Sequence, residues 1–261
     1  MGASSEVRFA RSGPVARITI DRPQQRNAIA LRTAAEIAAA MARAESDPEV
    51  RVVVLAGAGE RAFASGADLE ELPGVMDTPR RAAAYDKRIA ALYEALQASR
   101  LPTIARIQAA AIGGGCLLAL ACDLRVASER ATFGLPAARI GLMLSARELE
   151  MVLAQLTAAR AKLLLLSGRR LSAREAFEWG LADVVTPAQA LDRCVDELAL
   201  EIASGAPRAM HAAKRMLRAV ARGRQVAAVA RACYSEIYGS EDLREGLAAF
   251  KARRKPVFRG R

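Results

Sequence analysis

The chain has 261 residues, of which 52% are hydrophobic, so it can form a packed core in one large domain or in a domain with an appendage. Aromatic residues make up only 4%, and with abundant alanine this favours a helix-rich α/β fold over an all-β sandwich or a base-stacking nucleic-acid surface. The formal net charge of +11 leaves three explanations open: a nucleic acid, a phosphorylated small molecule, or a solubilising basic surface.

The N-terminal stretch MGASSEVRFARSG lacks the apolar segment of a signal peptide, and Glu6 argues against an acid-poor transit peptide. No later segment approaches about 18 uninterrupted apolar residues, the length that a membrane-spanning helix needs. We therefore expect a cytoplasmic protein without a membrane partner.

The first half of the chain predicts repeated strand–strand–helix units. A strand near Val7–Phe9 is followed by VARITID, which alternates and stops at a proline. A helix over Thr33–Ser46 and a continuous buried strand within Val50–Gly59 come next. Then follow a helix over Arg80–Ser99, the strand PTIARIQ, a glycine turn, the helix CLLALA and the strands LRVAS and ATFGL. This order predicts a spiral of small turns with helices outside.

From about Ser145 the pattern is almost wholly helical, with one short strand at Asp183–Val185. The predicted helical segments are Ser145–Ser167, Ser172–Trp179, Pro187–Ala203, Pro207–Arg222, Gln225–Gly239 and Glu241–Arg253. The sequence SGAP at Ser204–Pro207 interrupts this run, so we predict a main unit over residues 1–204 and a helical appendage over 205–261. Such an appendage is too small for a large core of its own and packs on the body or on another subunit.

The cysteines show no spacing typical of metal sites or redox pairs, and we expect them to be reduced core residues in a reducing compartment: Cys116, Cys122, Cys194 and Cys233. His211 is the only histidine, which leaves little material for a histidine triad or a multi-histidine metal site. No metal is expected.

Two glycine-containing turns precede helical segments, AFASGADLEEL at Ala62–Leu72 and AAIGGGCLLALACD around Gly113. The first N–H groups of a helix have no intrahelical partner, and the helix dipole adds positive charge there, so each turn can bind an anion. Two such turns aimed at one point would form an oxyanion hole. The alternative for either turn is a tight packing turn without a ligand.

The pair FASGADLEEL and IGGGCLLALACDLRVASERATFGLP resembles the crotonase superfamily, that is, the enoyl-CoA hydratase/isomerase family. Further similarity extends over nearly the whole chain, in DRPQQRNAI at Asp21–Ile29, LSGRRLSAREAFEWGLADVV at Leu166–Val185 and EDLREGLAAFKARRKPVFRG at Glu241–Gly260. The resemblance implies a crotonase-like α/β spiral of ββα units, a C-terminal helical oligomerisation region, and a homotrimer or a dimer of trimers.

The resemblance also implies roles for individual residues. The amides of Ala67 and Gly114 would form the oxyanion hole for a thioester carbonyl. Coenzyme A, as part of the substrate and with no tightly bound cofactor beside it, would meet seven positions: Arg26, Ala28, Ser65, Asp68, Leu69, Phe250 and Arg253, the last two often reaching the ligand of a neighbouring subunit. Arginine pairs well with phosphate, so binding of coenzyme A would account for much of the net positive charge. Nucleic-acid binding through the basic tail remains a minor alternative.

The sequence departs from the family where proton transfer is expected. Hydratases place one glutamate directly after GGGC and one after the proline of FGxP, and these positions hold Leu117 and Ala137. The usual PGxGG loop is replaced by MLSARELE, in which Ser145 matches the nucleophile position of a dehalogenase-like branch. Candidate replacements for the acid or base are Glu148, Glu150, Glu70 and Glu71, each with the alternative of a solvent-facing glutamate.

Asp68 and Asp123 are typical of residues that cap or anchor turns. The sequence therefore favours an enolate-stabilising acyl-CoA enzyme for which ordinary hydration is doubtful, with a catalytically silent acyl-CoA-binding or regulatory homologue as the alternative.

Overall fold

The structure is a computed structural model that describes residues 5–261. Residues 1–4 lie outside the described residues. They belong to the predicted unit 1–204 and begin the N-terminal stretch MGASSEVRFARSG. Within the described part of the chain, no helix is both long and apolar enough to cross a membrane.

Strands of three to six residues form two sheets. They are β1 (Val7–Ser12), β2 (Val15–Ile20), β3 (Val52–Gly57), β4 (Ala62–Ala64), β5 (Thr103–Ile107), β6 (Ala110–Ile112), β7 (Leu124–Ser128), β8 (Thr132–Gly134), β9 (Arg170–Ser172) and β10 (Val184–Thr186). The larger sheet has the order β1-β2-β3-β5-β7-β10 and the smaller one β4-β6-β8-β9. Only the outer pairs β1–β2 and β8–β9 are antiparallel.

The helices follow the strands in chain order. They are α1 (Leu31–Ser46), α2 (Leu72–Val75), α3 (Pro79–Ala98), α4 (Gly114–Ala121), α5 (Ala146–Leu153), α6 (Ala158–Ser167), α7 (Ala173–Trp179), α8 (Leu191–Ala203), α9 (Pro207–Arg222), α10 (Val226–Ile237) and α11 (Glu241–Lys251). Short 3₁₀ turns lie at Pro23–Gln25, Ala137–Ile140 and Ala188–Ala190.

The predicted spiral of strand–strand–helix units is confirmed. In each turn the first strand joins the larger sheet and the second joins the smaller one, as β3 and β4, β5 and β6, and β7 and β8 do. Every residue of β3 is buried, because α8 packs on one face of the larger sheet and the main core lies on the other. One helix departs from the predicted outer position: α4 lies inside, with Gly115 through Ala121 all buried.

The region after Ser145 differs from the predicted helical run in two places. The segment Ser145–Ser167 is divided into α5 and α6, because Thr157 caps α6 by accepting a hydrogen bond from the Arg160 amide. An unpredicted strand, β9, pairs with β8. Three-residue strands such as β9 and β6 are too short to show alternation, so their pairing is set by the neighbouring chain rather than by their own sequence.

The predicted break at Ser204–Pro207 coincides with the gap between α8 and α9. The helices after it contact the main body: the Lys214 ammonium lies 2.7 Å from the Asp123 carboxylate and also donates to the Leu101 carbonyl at 2.7 Å. The role of residues 205–261 in assembly stays a prediction.

Candidate active site

The two glycine turns pack directly against each other, main chain to main chain. Gly66 has φ +110°, and a Cβ there would lie 2.9 Å from the Ile112 carbonyl oxygen. A Cβ on Gly115 would lie 2.0 Å from the Ala64 carbonyl oxygen. Any side chain at either position would push the turns apart, so glycine is required here for close approach.

This packing brings the amides of Ala67 and Gly114 together. The Ala67 nitrogen lies 3.4 Å from the position that a Cβ on Gly114 would occupy. Among the described residues, neither amide has a hydrogen-bond acceptor, whereas the adjacent amides of Gly113 and Asp68 both donate to main-chain carbonyls. Gly114 is also the first residue of α4, so its N–H stands at the positive end of a helix dipole. Two unpaired donors thus lie side by side.

A buried asparagine holds the first loop next to these turns. Asn27 is fully buried, and its side-chain nitrogen donates to the carbonyls of Ala58 and Ala62 at 3.0 and 2.8 Å. Arg26 and Asn27 both adopt positive φ, +51° and +57°. The Arg26 carbonyl then accepts a hydrogen bond from the Ser65 amide at 3.0 Å. Sequence reasoning missed Asn27, whose polar character gives no sign of burial.

A partly buried ion pair, also missed, fixes the turn after Ala67. Arg22 lies 2.8 Å from the Asp68 carboxylate, and their side chains are only 15% and 12% exposed. Arg22 also donates to the Ala28 carbonyl at 2.7 Å, and the second Asp68 oxygen accepts from the Glu70 amide at 3.1 Å. The Asp68 carboxylate is thus occupied by structural partners, as expected of a residue that anchors a turn.

An apolar cleft of about 320 Å³ begins at Leu69, two residues after Ala67. Its lining comes from the segment that follows Ala67 and from the 3₁₀ turn that begins at Ala137, and consists of Leu69, Leu72, Pro73, Met76, Asp77, Ile140 and Leu142. A second cleft of about 210 Å³ lies among the C-terminal helices and contains none of the predicted site residues.

The segment MLSARELE (residues 143–150) places Ser145 and Glu148 at the start of α5. Ser145 is the N-cap, and both its amide and its hydroxyl donate to the Glu148 Oε2, at 2.8 and 2.9 Å. Burial raises the pKa of the Glu148 carboxyl above its usual value; the bonds from Ser145 act in the opposite direction, and the Asp86 carboxylate adds to the rise. The sequence suggested the two residues separately, Ser145 as a match to a nucleophile position and Glu148 as a candidate acid or base. The Ser-x-x-Glu spacing is the signal that predicts their mutual capping.

The other candidate carboxylates have different surroundings. Glu71 accepts a hydrogen bond from the Leu31 amide at 2.9 Å, Glu70 is exposed, and Glu150 lies 3.4 Å from Arg147 on the surface of α5. Residues 5–261 contain no group of three or more His, Cys, Asp and Glu side chains that could hold a metal ion. Their cysteines are free, three of them buried and Cys194 partly exposed.

A family model described as enoyl-CoA hydratase/isomerase matches residues 10–261. The chain belongs to the enoyl-CoA hydratase/isomerase family. It is 35% identical to a carnitinyl-CoA dehydratase of Citrobacter koseri, over 99% of this chain and all of that protein. It is 34% identical to an (E)-benzylidenesuccinyl-CoA hydratase of Thauera aromatica, over 95% of this chain and 97% of that one.

The fold agrees with that of solved members of the family. The structure of an enoyl-CoA hydratase/carnitine racemase from Magnetospirillum magneticum superposes with a TM-score of 0.94 at 33% identity, covering 99% of this chain and 97% of that one. An enoyl-CoA hydratase from Bacillus anthracis gives a TM-score of 0.91 at 32% identity, covering 98% and 100%. The crotonase assignment and the α/β spiral are confirmed.

Leu117 and Ala137 stand at the two positions where the resemblance leads us to expect glutamate. Leu117 is on α4 and only 3% exposed, and Ala137 begins the 3₁₀ turn after β8. Both border the segments that carry the candidate site, and neither side chain can transfer a proton.

The residues expected to meet coenzyme A fall into two groups. Arg26, Ala28 and Ser65 are linked to the turn that holds Asp68 and Leu69, through the contacts described above. Phe250 lies in the last turn of α11 and is 84% exposed, and Arg253 follows two residues after that helix ends. Among the described residues, no hydrogen bond or ion pair joins either of them to the first group. Neither Arg26 nor Arg253 forms an ion pair with a described residue, so both guanidinium groups are available to a phosphate.

Proposed function

We propose that this enoyl-CoA hydratase/isomerase family member binds an acyl-CoA thioester and stabilises its enolate with the N–H groups of Ala67 and Gly114. The proposal depends on one observation: these two amides, from distant segments, lie side by side without an acceptor. An enolate carries its negative charge on the thioester oxygen, so two fixed donors stabilise it more than they stabilise the ground-state carbonyl.

The apolar cleft lined by Leu69 and its neighbours suits the acyl or pantetheine part of such a substrate. The exposed Arg26 is placed to pair with a CoA phosphate, and Arg253 and Phe250 would reach the ligand of a neighbouring subunit in a trimer or a dimer of trimers. Coenzyme A enters as part of the substrate, with no further cofactor.

The names of the two relatives, a dehydratase and a hydratase, favour a hydratase or lyase reaction. Because Leu117 and Ala137 replace both glutamates, we expect hydration of crotonyl-CoA to be about 10²–10⁴-fold slower than the roughly 10 s⁻¹ of a typical enzyme. Following the loss of the enoyl-thioester absorbance measures this rate. Turnover at about 10 s⁻¹ would show that the acid–base argument is wrong.

Gly114→Pro tests the oxyanion hole directly. Proline is tolerated at the first position of a helix and has no N–H, so this variant removes the donor from α4. Its ring must fit against the turn at Gly66, whose Cα lies 3.6 Å from a Cβ at this position. Gly114→Ala keeps the donor and is the matched control. We expect turnover of an acyl-CoA substrate to fall about 10²–10³-fold in the proline variant relative to the alanine variant. Equal rates in two folded variants would contradict the assignment.

A catalytically silent acyl-CoA-binding protein is the second candidate, because neither family glutamate position holds an ionisable group. Both candidates predict binding of acyl-CoA in calorimetry. Mass spectrometry of the incubated ligand separates them, since any product ion excludes a purely binding role.

A further inference from the structure

We infer that the Glu148 carboxylate is the group that carries the substrate's α-proton in this site, in place of the two family glutamates. This inference rests on the proposed function, because it needs a thioester held by Ala67 and Gly114. In the step, Glu148 accepts the proton from the α-carbon, the C–H electron pair becomes the enolate double bond, and the thioester oxygen takes the negative charge. The reverse step returns the proton to carbon.

The position of α5 supports this role. Helix α5 packs against α4, the helix that starts with Gly114. On α3, the buried Tyr85 is affected by the charges of Glu148 and of Asp68, and the buried Tyr93 by those of Glu148 and Cys116. Tyr85 therefore lies near both the Glu148 carboxyl and the turn after Ala67 that holds Asp68, and Tyr93 lies near both Glu148 and the first turn of α4.

One oxygen of Glu148 is fixed and the other is free. Oε2 accepts both hydrogen bonds from Ser145, which holds the carboxyl group in place. Oε1 has no hydrogen-bond partner among residues 5–261. A carboxylate that is oriented through one oxygen and unpaired at the other has the geometry of a general base.

The charged groups around Glu148 leave its carboxylate without a cationic partner. The titratable groups that face it are Asp86, Tyr85 and Tyr93, all from α3. On its own helix, Arg147 is engaged by Glu94 at 3.1 Å and by Glu150 at 3.4 Å. Burial raises the pKa of Glu148, the hydrogen bonds from Ser145 lower it, and Asp86 adds a smaller rise, with no ion pair holding the carboxyl in its charged form. This balance suits a group that must both take and return a proton.

The chain contains a matched control in a second copy of the same pentapeptide. Leu-Ser-Ala-Arg-Glu occupies residues 144–148 and again residues 171–175. Ser172 and Glu175 form the same capping box, with hydrogen bonds of 2.8 and 2.9 Å to Oε2. The second oxygen of Glu175, however, is paired with Arg169 at 2.5 Å. Glu175 shares the local structure of Glu148 and lacks its surroundings.

The experiment measures α-proton exchange of butyryl-CoA in D₂O by mass spectrometry, in the wild-type protein and in Glu148→Gln and Glu175→Gln. Glutamine keeps an oxygen for the Ser145 bonds and cannot act as a base. We expect the exchange rate to fall about 10²–10⁴-fold in Glu148→Gln and to stay within about twofold in Glu175→Gln. Exchange at the wild-type rate in Glu148→Gln would overturn the inference.

Two further measurements separate this inference from the proposed function. In calorimetry, Glu148→Gln should bind butyryl-CoA as the wild type does; if the wild type fails to bind, the proposed function fails. If the wild type binds without any exchange, enolate stabilisation fails together with the inference, and the silent binding protein remains. If the wild type exchanges and Glu148→Gln exchanges equally fast, the inference about Glu148 fails alone. Should Glu148→Gln not fold, the wild-type pH profile decides: exchange must rise through an apparent pKa above that of a free glutamate, and a flat profile is contrary to the role.

Discussion

The two Leu-Ser-Ala-Arg-Glu segments have the same sequence and the same local hydrogen bonds, yet their glutamates differ in charge behaviour. Burial raises the pKa of Glu148, whereas the hydrogen bonds from Ser172, helped by Arg169, lower the pKa of Glu175. The pentapeptide determines a helix start in both places. Tertiary surroundings determine whether its carboxylate is available for chemistry, so a local motif alone does not identify a catalytic residue.

The leucines of the two segments should show the largest difference in stability. Leu171 in β9 is fully buried, whereas Leu144 is only partly buried against the same core. We expect Leu171→Ala to reduce the free energy of unfolding by about 2–5 kcal/mol, through lost burial and an unfilled cavity. Leu144→Ala should cost clearly less. Chemical denaturation of both variants measures the difference, and equal losses would mean that the two segments are packed alike.

The serines should show an equal effect on stability and an unequal effect on chemistry. Ser145→Ala and Ser172→Ala each remove an N-cap and should each cost about 1 kcal/mol in thermal or chemical unfolding. The Ser145 hydroxyl stabilises the Glu148 carboxylate, so its loss raises the Glu148 pKa further. The pH profile of α-proton exchange should move to higher pH in Ser145→Ala only. A shift of the same size in Ser172→Ala would argue against a positioning role for Ser145.

The smallest expected difference is in the carboxyl titrations, followed by carbon-detected NMR. Glu148 should titrate above, and Glu175 below, an ordinary glutamate. Glu148 therefore favours the folded state at low pH and loses this contribution as the pH rises through its folded pKa. Glu175 favours the folded state above its unfolded pKa and loses this contribution as the pH falls. Salt at about 1 M should raise the Glu175 pKa by screening Arg169 and leave Glu148 nearly unchanged. Parallel responses would contradict the assigned causes.

Much of the fold could be predicted from the sequence because its signals are local. The alternation in β2, the apolar run of β3 and the glycine turn before α4 each identify an element from its own residues. The strands β4, β6 and β9 were not predicted, because each has three residues beside a glycine turn or a helix start and is held in the smaller sheet by its neighbours.

The candidate site was predictable to the extent that it is made of backbone. Glycines at 66 and 113–115 indicated both turns, and the resemblance to the crotonase superfamily pointed to the amides of Ala67 and Gly114. The supporting side chains were not predictable: the burial of Asn27 and the pairing of Arg22 with Asp68 arise from segments that meet only in the folded chain.

Since the unpaired donors of Ala67 and Gly114 belong to the main chain, replacing side chains one by one with alanine would leave both of them in place. An alanine scan of this protein would therefore miss the feature on which its proposed chemistry most depends. Methods that alter the peptide link itself, such as proline substitution or replacement of an amide by an ester, are needed to detect it.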